Sequence, residues 1–182
     1  MDVHTQSFLN NHPCFNKGAS VNWGRVHLPV APNCNIQCNF CNRMYDCANE
    51  NRPGVTQKVY TPDEAVAYLE KLFKDRQDIS VIGIAGPGDP MCDADKTLPT
   101  FEKCRARFPH LMLCLSTNGL ALPEHVDDIV RIGVSHVTVT VNAVTPSVGG
   151  KVYAWVRYNG KTYTGEEGAA ILLARQDEGI RS

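Results

Sequence analysis

Short apolar segments alternate with amphipathic segments along most of the chain, and this alternation restricts the fold more than any other feature. Four apolar segments predict buried strands: 26–32, 79–86, 111–119 and 136–142. Four amphipathic segments predict helices: 61–76, 96–108, 123–133 and 164–179. Strands that alternate with helices of roughly 10–15 residues predict βαβ units around a parallel sheet.

A series of βαβ units of this length predicts part of a TIM barrel. A closed barrel needs about 250 residues, whereas this chain has 182, of which 43% are hydrophobic. We therefore expect an α/β fold, a partial TIM barrel truncated after about four βα units. Residues 1–25 are expected to form an N-terminal arm that carries cluster ligands, and residues 26–182 the N-terminal part of the barrel.

Side-chain alternation within two strands predicts which residues face the barrel lumen. Successive side chains of a strand point to opposite faces. Cys114 and Ser116 therefore lie opposite three leucines of their strand. Thr138, Thr140 and Asn142 lie opposite three valines of theirs. The polar sets are expected to line the lumen, and a polar face turned to solvent in a half-open sheet is the alternative.

Two of the predicted helices begin with a capping-box sequence. Thr61 is followed by Glu64, and Thr164 by Glu167. In such a box each side chain accepts a hydrogen bond from the backbone N–H of the other residue. Pro62, at the first helical position, supports the first of these boundaries.

Charge and hydropathy exclude several classes of protein. The formal net charge is −1, so there is no basic field to attract nucleic acid or an anionic membrane. The N-terminal residues lack the apolar region of a secretory signal, and no segment approaches the roughly 18–20 apolar residues that span a bilayer. We therefore expect a soluble protein of the cytoplasm, where thiols stay reduced.

Three of the eight cysteines stand close together in the segment CNIQCNFCNR, residues 34–43. The spacing of Cys34, Cys38 and Cys41 is too crowded for a disulfide framework and one ligand short of a closed zinc site. Three thiolates can instead hold three irons of a [4Fe–4S] cluster, which normally has four protein ligands. The fourth iron is then open to a small molecule. On the motif alone, a zinc site or an ordinary iron–sulfur site remains an alternative.

The motif CxxxCxxC, with an aromatic residue just before the third cysteine, resembles the signature of the radical S-adenosylmethionine (SAM) enzymes. This resemblance implies that Cys34, Cys38 and Cys41 hold a [4Fe–4S] cluster in the loop after the first strand. It also implies that the cluster passes an electron to SAM, which cleaves into methionine and a 5′-deoxyadenosyl radical. The radical chemistry is then that of the cofactor, and the role of the protein is to bind the cofactor and to exclude water from it.

Two further segments are similar to the SAM-binding parts of these enzymes. AGPGDP resembles a segment whose backbone meets the methionyl amino group, and its candidate residues are Gly86, Gly88 and Asp89. We expect the two glycines to permit close backbone approach and a positive φ, although an ordinary turn is the alternative. The lumen groups expected to contact the ribose and the carboxylate of SAM are Ser116, Asn118 and Asn142.

A narrower resemblance covers the chain from about His12 onward. HPC, residues 34–55, GIAGPGDP, LCLSTNGLALP and HVTVTVN are similar to the nitrogenase-cofactor maturases, a family within the radical SAM enzymes. The resemblance implies an enzyme that fuses two [4Fe–4S] clusters, adds a sulfur, and inserts a carbide from the methyl group of SAM. Its product is an [8Fe–9S–C] precursor of the nitrogenase cofactor. The implied partners are an iron–sulfur cluster donor and downstream scaffold or carrier proteins.

The same resemblance implies ligands for two substrate clusters. Cys47, Cys114 and His12 match ligands of the first, and Glu50 matches an exchangeable one. Cys14 matches a ligand of the second cluster, whose other ligands come from a late CxxC pair that these 182 residues do not contain. Without the resemblance, His12 would be expected to be a solvated residue of a polar arm.

Two other functions stay open. Another radical SAM enzyme would leave the additional cysteines without a role, and a non-catalytic iron–sulfur scaffold or carrier would bind clusters without cleaving SAM. The remaining candidates have structural explanations. Cys104 is expected to pack in the core, Cys92 has no partner at motif spacing, and His27 is expected in the core or at the surface rather than in the lumen.

Overall fold

A computed structural model describes residues 11–49 and 56–182 of the chain. In chain order, its helices are α1 (Ala19–Asn22), α2 (Pro62–Asp75), α3 (Ala94–Arg107), α4 (Val126–Ile132, after a 3-10 turn at Pro123–His125), α5 (Pro146–Val152) and α6 (Gly165–Arg181). Its strands are β1 (Gly24–His27), β2 (Ile36–Cys38), β3 (Ile79–Ile84), β4 (Met112–Thr117), β5 (His136–Val139), β6 (Tyr153–Tyr158) and β7 (Lys161–Tyr163). In this described part of the chain, no helix has the length and apolar character needed to cross a membrane.

Strands β1, β3, β4 and β5 form a parallel sheet in that order. Helix α3 connects β3 to β4, and α4 connects β4 to β5, so the predicted βαβ units are present. The sheet does not close, and the predicted partial barrel is confirmed. The first predicted strand is displaced, because β1 ends at His27 and Pro29 has no backbone N–H to continue the ladder.

One face of the parallel sheet packs against α2, α3 and α4 and forms the main core. Leu113 and Leu115 of β4 are fully buried there, together with Leu69 of α2 and Phe101 of α3. The leucine side of β4 therefore faces the helices, as the alternation predicts. Cys104 of α3 lies in the same core with no exposed surface, which confirms its prediction as a small apolar residue.

The helix ends confirm one predicted capping box and contradict the other. Thr61 and Glu64 form both reciprocal hydrogen bonds at the start of α2. Thr164 is the N-cap residue of α6, but its side chain accepts no hydrogen bond, so this second predicted capping box is wrong. Gly165, the first residue of this helix, has a φ of 58°, so the helix begins with a left-handed residue rather than with the regular helical backbone of a capping box.

A second sheet, which the alternation pattern does not predict, contains β2, β6 and β7 in antiparallel order. Strands β6 and β7 form a hairpin around Asn159 and Gly160, whose φ angles are 48° and 75°. Two consecutive positive φ values are typical of the type I′ turn that Asn-Gly favours. Strand β2 is part of the cysteine segment, so this small sheet joins residues 36–38 to residues 153–158.

The N-terminal arm packs against the edge of the parallel sheet. The ring centroids of His12 and His136, at the start of β5, are 4.3 Å apart, and the Phe15 ring stacks on His136 at 5.1 Å. Ser80 of β3 donates a hydrogen bond to the carbonyl of Asn11 at 2.9 Å. His12 is therefore placed inside the open barrel rather than in solvent.

Candidate functional site

The cysteine segment is held at its start by the turn after β3. Asp93 accepts hydrogen bonds from the backbone N–H and from Nδ2 of Asn33, both at 2.8 Å. The N–H of Gly88 donates to the Ala31 carbonyl at 2.7 Å, and the N–H of Asp89 donates to the Asn33 carbonyl at 2.6 Å. A Cβ atom at Gly88 would lie 2.0 Å from the Asn33 carbonyl oxygen. Only glycine fits this approach.

The glycine-rich turn corrects one expectation and leaves another open. Neither Gly86 nor Gly88 has a positive φ, and the close backbone approach at Gly88 is to Asn33 of the chain itself. The need for glycine at residue 88 comes from contact with the cysteine segment and not from a left-handed backbone. Binding of SAM by Gly86 and Gly88 stays a prediction.

Asp89 is buried beneath the same turn. Its carboxylate accepts hydrogen bonds from Thr117 Oγ1 at 3.0 and 3.1 Å, from the Asn118 N–H at 2.6 Å and from the Met91 N–H at 3.0 Å. Burial raises the pKa of this carboxyl group, and the hydrogen-bond donors oppose the rise. Asp89 thus ties the turn after β3 to the end of β4. A contact between Asp89 and SAM stays a prediction.

The small sheet holds the middle of the cysteine segment. Ile36 pairs with Val156 and Cys38 with Tyr153. The Asn39 N–H donates to the Val152 carbonyl at 2.8 Å. These contacts bury Cys38 among apolar residues of β6 and α6, with only 6% of its surface exposed.

The three motif cysteines meet in one narrow cavity at the carboxyl ends of β3 and β4. Its other lining residues include Cys47, Gly88, Asp89, Ser116, Asn118 and Thr140. Asn118 Nδ2 lies 3.6 Å from Cys34 Sγ and donates to Asn35 Oδ1 at 2.7 Å. Asn142 is not among these residues, and its N–H donates to Tyr153 Oη at 3.3 Å. The structure therefore brings together all the predicted groups of this site except Gly86 and Asn142.

The thiols that line this cavity suit iron. Burial, with smaller contributions from the neighbouring thiols of Cys34 and Cys41, raises the pKa of Cys38 to about 12. Thiolates at such positions need a cation, which iron supplies as binding releases the thiol protons. The cavity of about 30 Å³ has room for one or two waters. Binding of a cluster at Cys34, Cys38 and Cys41 stays a prediction.

A wider cavity of about 210 Å³ lies next to the first, on the lumen face of the parallel sheet. Its lining includes three of the predicted substrate-cluster ligands, which are His12, Cys14 and Cys114. The lining also includes Thr138 and Thr140 but not Asn142, so two of the three residues predicted on the lumen side of this strand are confirmed there. Four residues line both cavities: Asn49, Ala85, Ser116 and Thr140.

His12 is fully buried at this wider cavity, so the expectation of a solvated arm residue is wrong. Its Nδ1 accepts a hydrogen bond from the Cys14 N–H at 3.2 Å, and its Nε2 has no hydrogen-bond partner among the described residues. Burial, with smaller contributions from His136 and Arg25, lowers the pKa of His12 to about 4. A neutral imidazole with an unpaired buried nitrogen suits a metal ligand.

The sequence analysis missed two residues of the lumen, His27 and Arg25. Both line the wider cavity, and the His27 ring lies over Gly83, where an added Cβ would stand 3.3 Å from its Nε2. The expectation that His27 lies in the core or at the surface is therefore wrong. Arg25 Nη1 donates to Cys14 Sγ at 2.7 Å. Polar residues 25 and 27 alternate with buried Val26 and Leu28, and this alternation was the available signal.

The other predicted ligands have mixed outcomes. Cys47 lines the narrow cavity, where Asn49 Nδ2 approaches its thiol at 3.8 Å. Glu50 lies outside the described residues. All eight cysteines are free, and burial raises the pKa of Cys92, beside Asp93, to about 12. Within residues 11–49 and 56–182, no three His, Cys, Asp or Glu side chains converge as they would around a single metal ion.

Comparison with known proteins shows the family to which the chain belongs. Residues 28–176 match the Radical SAM superfamily. The chain belongs to this superfamily. Its predicted resemblance to nitrogenase-cofactor maturases is confirmed by curated relatives that bear the name FeMo cofactor biosynthesis protein NifB.

The relative from Chlorobaculum tepidum is 49% identical over 168 residues, which are 92% of this chain and 40% of the relative. The relative from Sinorhizobium fredii is 49% identical over 180 residues, 99% of this chain and 36% of the relative. The relative from Klebsiella pneumoniae is 48% identical over 170 residues, 93% and 36% respectively. The chain therefore spans two fifths or less of the length of these relatives. As a radical SAM protein, it belongs to a family whose cofactors are a [4Fe–4S] cluster and SAM.

Proposed function

We propose that this chain is the SAM-cleaving part of an enzyme that builds the nitrogenase cofactor precursor. In this proposal, Cys34, Cys38 and Cys41 hold a [4Fe–4S] cluster with one iron open to SAM. The wider cavity receives substrate [4Fe–4S] clusters. Two of these are fused, with an added sulfur and a carbide derived from the SAM methyl group, to give an [8Fe–9S–C] product.

The observation that carries the proposal is the pair of adjoining cavities. The narrow one is lined by the motif thiols, and the wider one is lined by further thiols and imidazoles. Ser116 and Thr140 belong to the wall that the two cavities share, so a group bound in one lies next to a group bound in the other. Thiolate and imidazole hold iron and can still be exchanged when a product leaves.

The residues of the narrow cavity bind and orient. The motif cysteines give up their protons to hold the cluster, which supplies one electron for the reductive cleavage of SAM. Asn118 orients Cys34 through its amide, and Ser116 offers a hydroxyl to the ribose. Gly88 keeps the backbone of the SAM-binding turn against the cysteine segment.

The residues of the wider cavity hold the substrate. Cys114 and His12 bind the first substrate cluster, Cys47 and Glu50 approach it from the segment beyond the motif, and Cys14 binds the second cluster. His27, which faces the same cavity, adds an imidazole to this set. The similarity to NifB proteins supports this assignment, as does the unpaired Nε2 of buried His12. An iron–sulfur cluster donor and a downstream scaffold or carrier are the partners, in a reducing cytoplasmic compartment.

Anaerobic iron analysis and EPR spectroscopy of the reconstituted chain, with and without SAM, test the proposal. The comparison is a triple variant with Cys34, Cys38 and Cys41 all changed to Ala. We expect an EPR signal that shifts with SAM and disappears in the triple variant. About four irons are expected to survive the triple substitution and to be lost when Cys114→Ala is added, since a cubane cluster contains four irons.

The outcomes separate this proposal from the alternatives. If only four irons bind and all are lost in the triple variant, the wider cavity holds no substrate cluster and the chain acts as a simpler radical SAM protein. If clusters bind but SAM neither shifts the signal nor is cleaved, a non-catalytic scaffold is the better description. The matched control is Cys104→Ala, because Cys104 is buried in the main core and lines neither cavity.

A further inference from the structure

Arg43 follows the third motif cysteine by two residues and folds back over the cysteine segment. Its Nη2 donates to the Ile36 carbonyl at 2.7 Å, and its Nε donates to Gln37 Oε1 at 3.3 Å. The guanidinium lines the narrow cavity together with the three motif cysteines. One planar cation therefore binds both the backbone and a side-chain amide of the cysteine segment, a geometry that the fork of an arginine permits.

Gln37 extends this contact to two of the motif cysteines. Its Nε2 donates to the Cys38 carbonyl at 3.0 Å and to the Cys41 carbonyl at 2.9 Å, while its Oε1 accepts from Arg43. Both the nitrogen and the oxygen of the Gln37 side-chain amide are therefore hydrogen-bonded. Arg43 and Gln37 together link the strand β2 to the turn that carries Cys41.

The charge of Arg43 lies among the thiols. Burial raises the pKa of Cys34, Asp89 raises it further, and the Arg43 guanidinium opposes both. The thiols of Cys41 and Cys47 are also near enough to raise the pKa of the guanidinium. Among the residues that line the narrow cavity, Arg43 is the only cationic side chain in the described part of the chain.

We propose that Arg43 is a positioning residue that fixes the three-cysteine segment and raises the reduction potential of the cluster bound there. This inference rests on the proposed function, because it requires a cluster on Cys34, Cys38 and Cys41. Reduction adds a negative charge to the cluster, and a nearby cation stabilises the charge that is added. Arg43 therefore makes the cluster easier to reduce, and its hydrogen bonds keep the ligands together.

EPR-monitored redox titration of the reconstituted full chain tests the inference in Arg43→Gln, Arg43→Lys and the matched control Arg181→Gln. Arg181 is at the end of α6 and pairs with Asp177. For Arg43→Gln we expect about a tenfold lower ratio of reduced to oxidised cluster at a fixed potential. This corresponds to a midpoint potential lowered by about 59 mV for one electron. Arg43→Lys retains the charge but loses the fork, so its midpoint should stay near that of the wild type while iron is lost faster to a chelator.

The outcomes distinguish this inference from the proposed function. If the wild-type chain binds no iron through the motif thiols, both fail. If it binds a cluster with a SAM-dependent signal and Arg43→Gln has the same midpoint, the role of Arg43 alone is overturned. If Arg43→Gln cannot hold a cluster, Arg43→Lys decides. An unchanged midpoint potential with faster iron loss supports the inference, and a midpoint potential lowered by about 59 mV contradicts it.

Discussion

The parallel sheet and the small antiparallel sheet both build the site, but they are stabilised in different ways. The parallel sheet is covered by three helices, and its core includes residues from every one of its first three strands. The small sheet has two strands of only three residues, and its apolar cluster is completed by α6 and by the motif residue Cys38. We therefore expect the parallel sheet, which presents the lumen, to be more stable than the small sheet, which carries part of the cysteine segment.

The largest expected effect comes from breaking the core of the parallel sheet. Leu113→Ala removes a side chain with no exposed surface from the centre of β4. We expect a loss of about 3 kcal/mol in the free energy of unfolding, because the deletion removes apolar contacts and leaves a cavity. Urea unfolding followed by circular dichroism measures this loss.

The matched control for this change is Val137→Ala on the edge strand β5, where the side chain is 40% exposed. It should cost less than about 1 kcal/mol, since much of its surface is already in water. Equal losses in the two variants would contradict the view that the helix-covered face supplies most of the stability.

A smaller and more local effect is expected in the small sheet. Val156→Ala removes two methyl groups from β6, opposite Ile36 of the cysteine segment. We expect a loss of about 2 kcal/mol of local stability, at about 0.8 kcal/mol for each group plus a cavity contribution. The Asn39 N–H donates to the Val152 carbonyl, and the Arg157 N–H donates to the Asn35 carbonyl. Hydrogen exchange at these two N–H groups should become at least about tenfold faster.

The exchange pattern tests whether the two sheets are separate units. The amides of β3 and β4 should keep their wild-type protection in Val156→Ala, and Thr162→Ala on exposed β7 should change neither set. If β4 amides accelerate as much as Asn39 does, the sheets unfold together and the contrast drawn here between a more stable and a less stable sheet is wrong.

The difference between the sheets also explains what the sequence could predict. The parallel strands and their helices follow from hydrophobic periodicity, which is local. The last three of the four parallel strands were predicted within a few residues, and the first was displaced. The small sheet depends on pairing between residues 36–38 and 153–158, which no local pattern encodes. Its hairpin did have a local signal, Asn159-Gly160, and that signal was overlooked.

The candidate site shows the same division. The motif cysteines and the lumen side of β4 were predictable, because motif spacing and strand alternation are local. The roles of Gly88 and Asp93 were not, since both act through contacts with Asn33 more than 50 residues earlier in the chain. The burial of His12 depends on where the arm packs, so only the family resemblance indicated it.

The smallest expected effect concerns the arm, which attaches to the parallel sheet and not to the small one. The pKa of folded His12 is about 4, against 6.5 for an ordinary histidine. The unfolded chain therefore binds the proton first, and stability should fall as pH decreases from about 6.5 towards 4, with no further loss from this group at lower pH. After allowance for solvent screening, we expect about 1 kcal/mol of loss between pH 7.5 and 5.

The variant His12→Asn keeps an acceptor for the Cys14 N–H but cannot titrate. Its free energy of unfolding, measured by urea titration, should fall by about 1 kcal/mol less than that of the wild type between pH 7.5 and 5. His136, whose pKa burial also lowers, contributes to the pH dependence of both proteins. After correction for the intrinsic pH dependence of amide exchange, protection at the start of β5, against which His12 packs, should fall with pH in the wild type, and protection at Asn39 should not. An identical pH slope in the two proteins would mean that the arm does not hold His12 in the buried position, because a solvated histidine has no reason to titrate differently in the folded and unfolded chains.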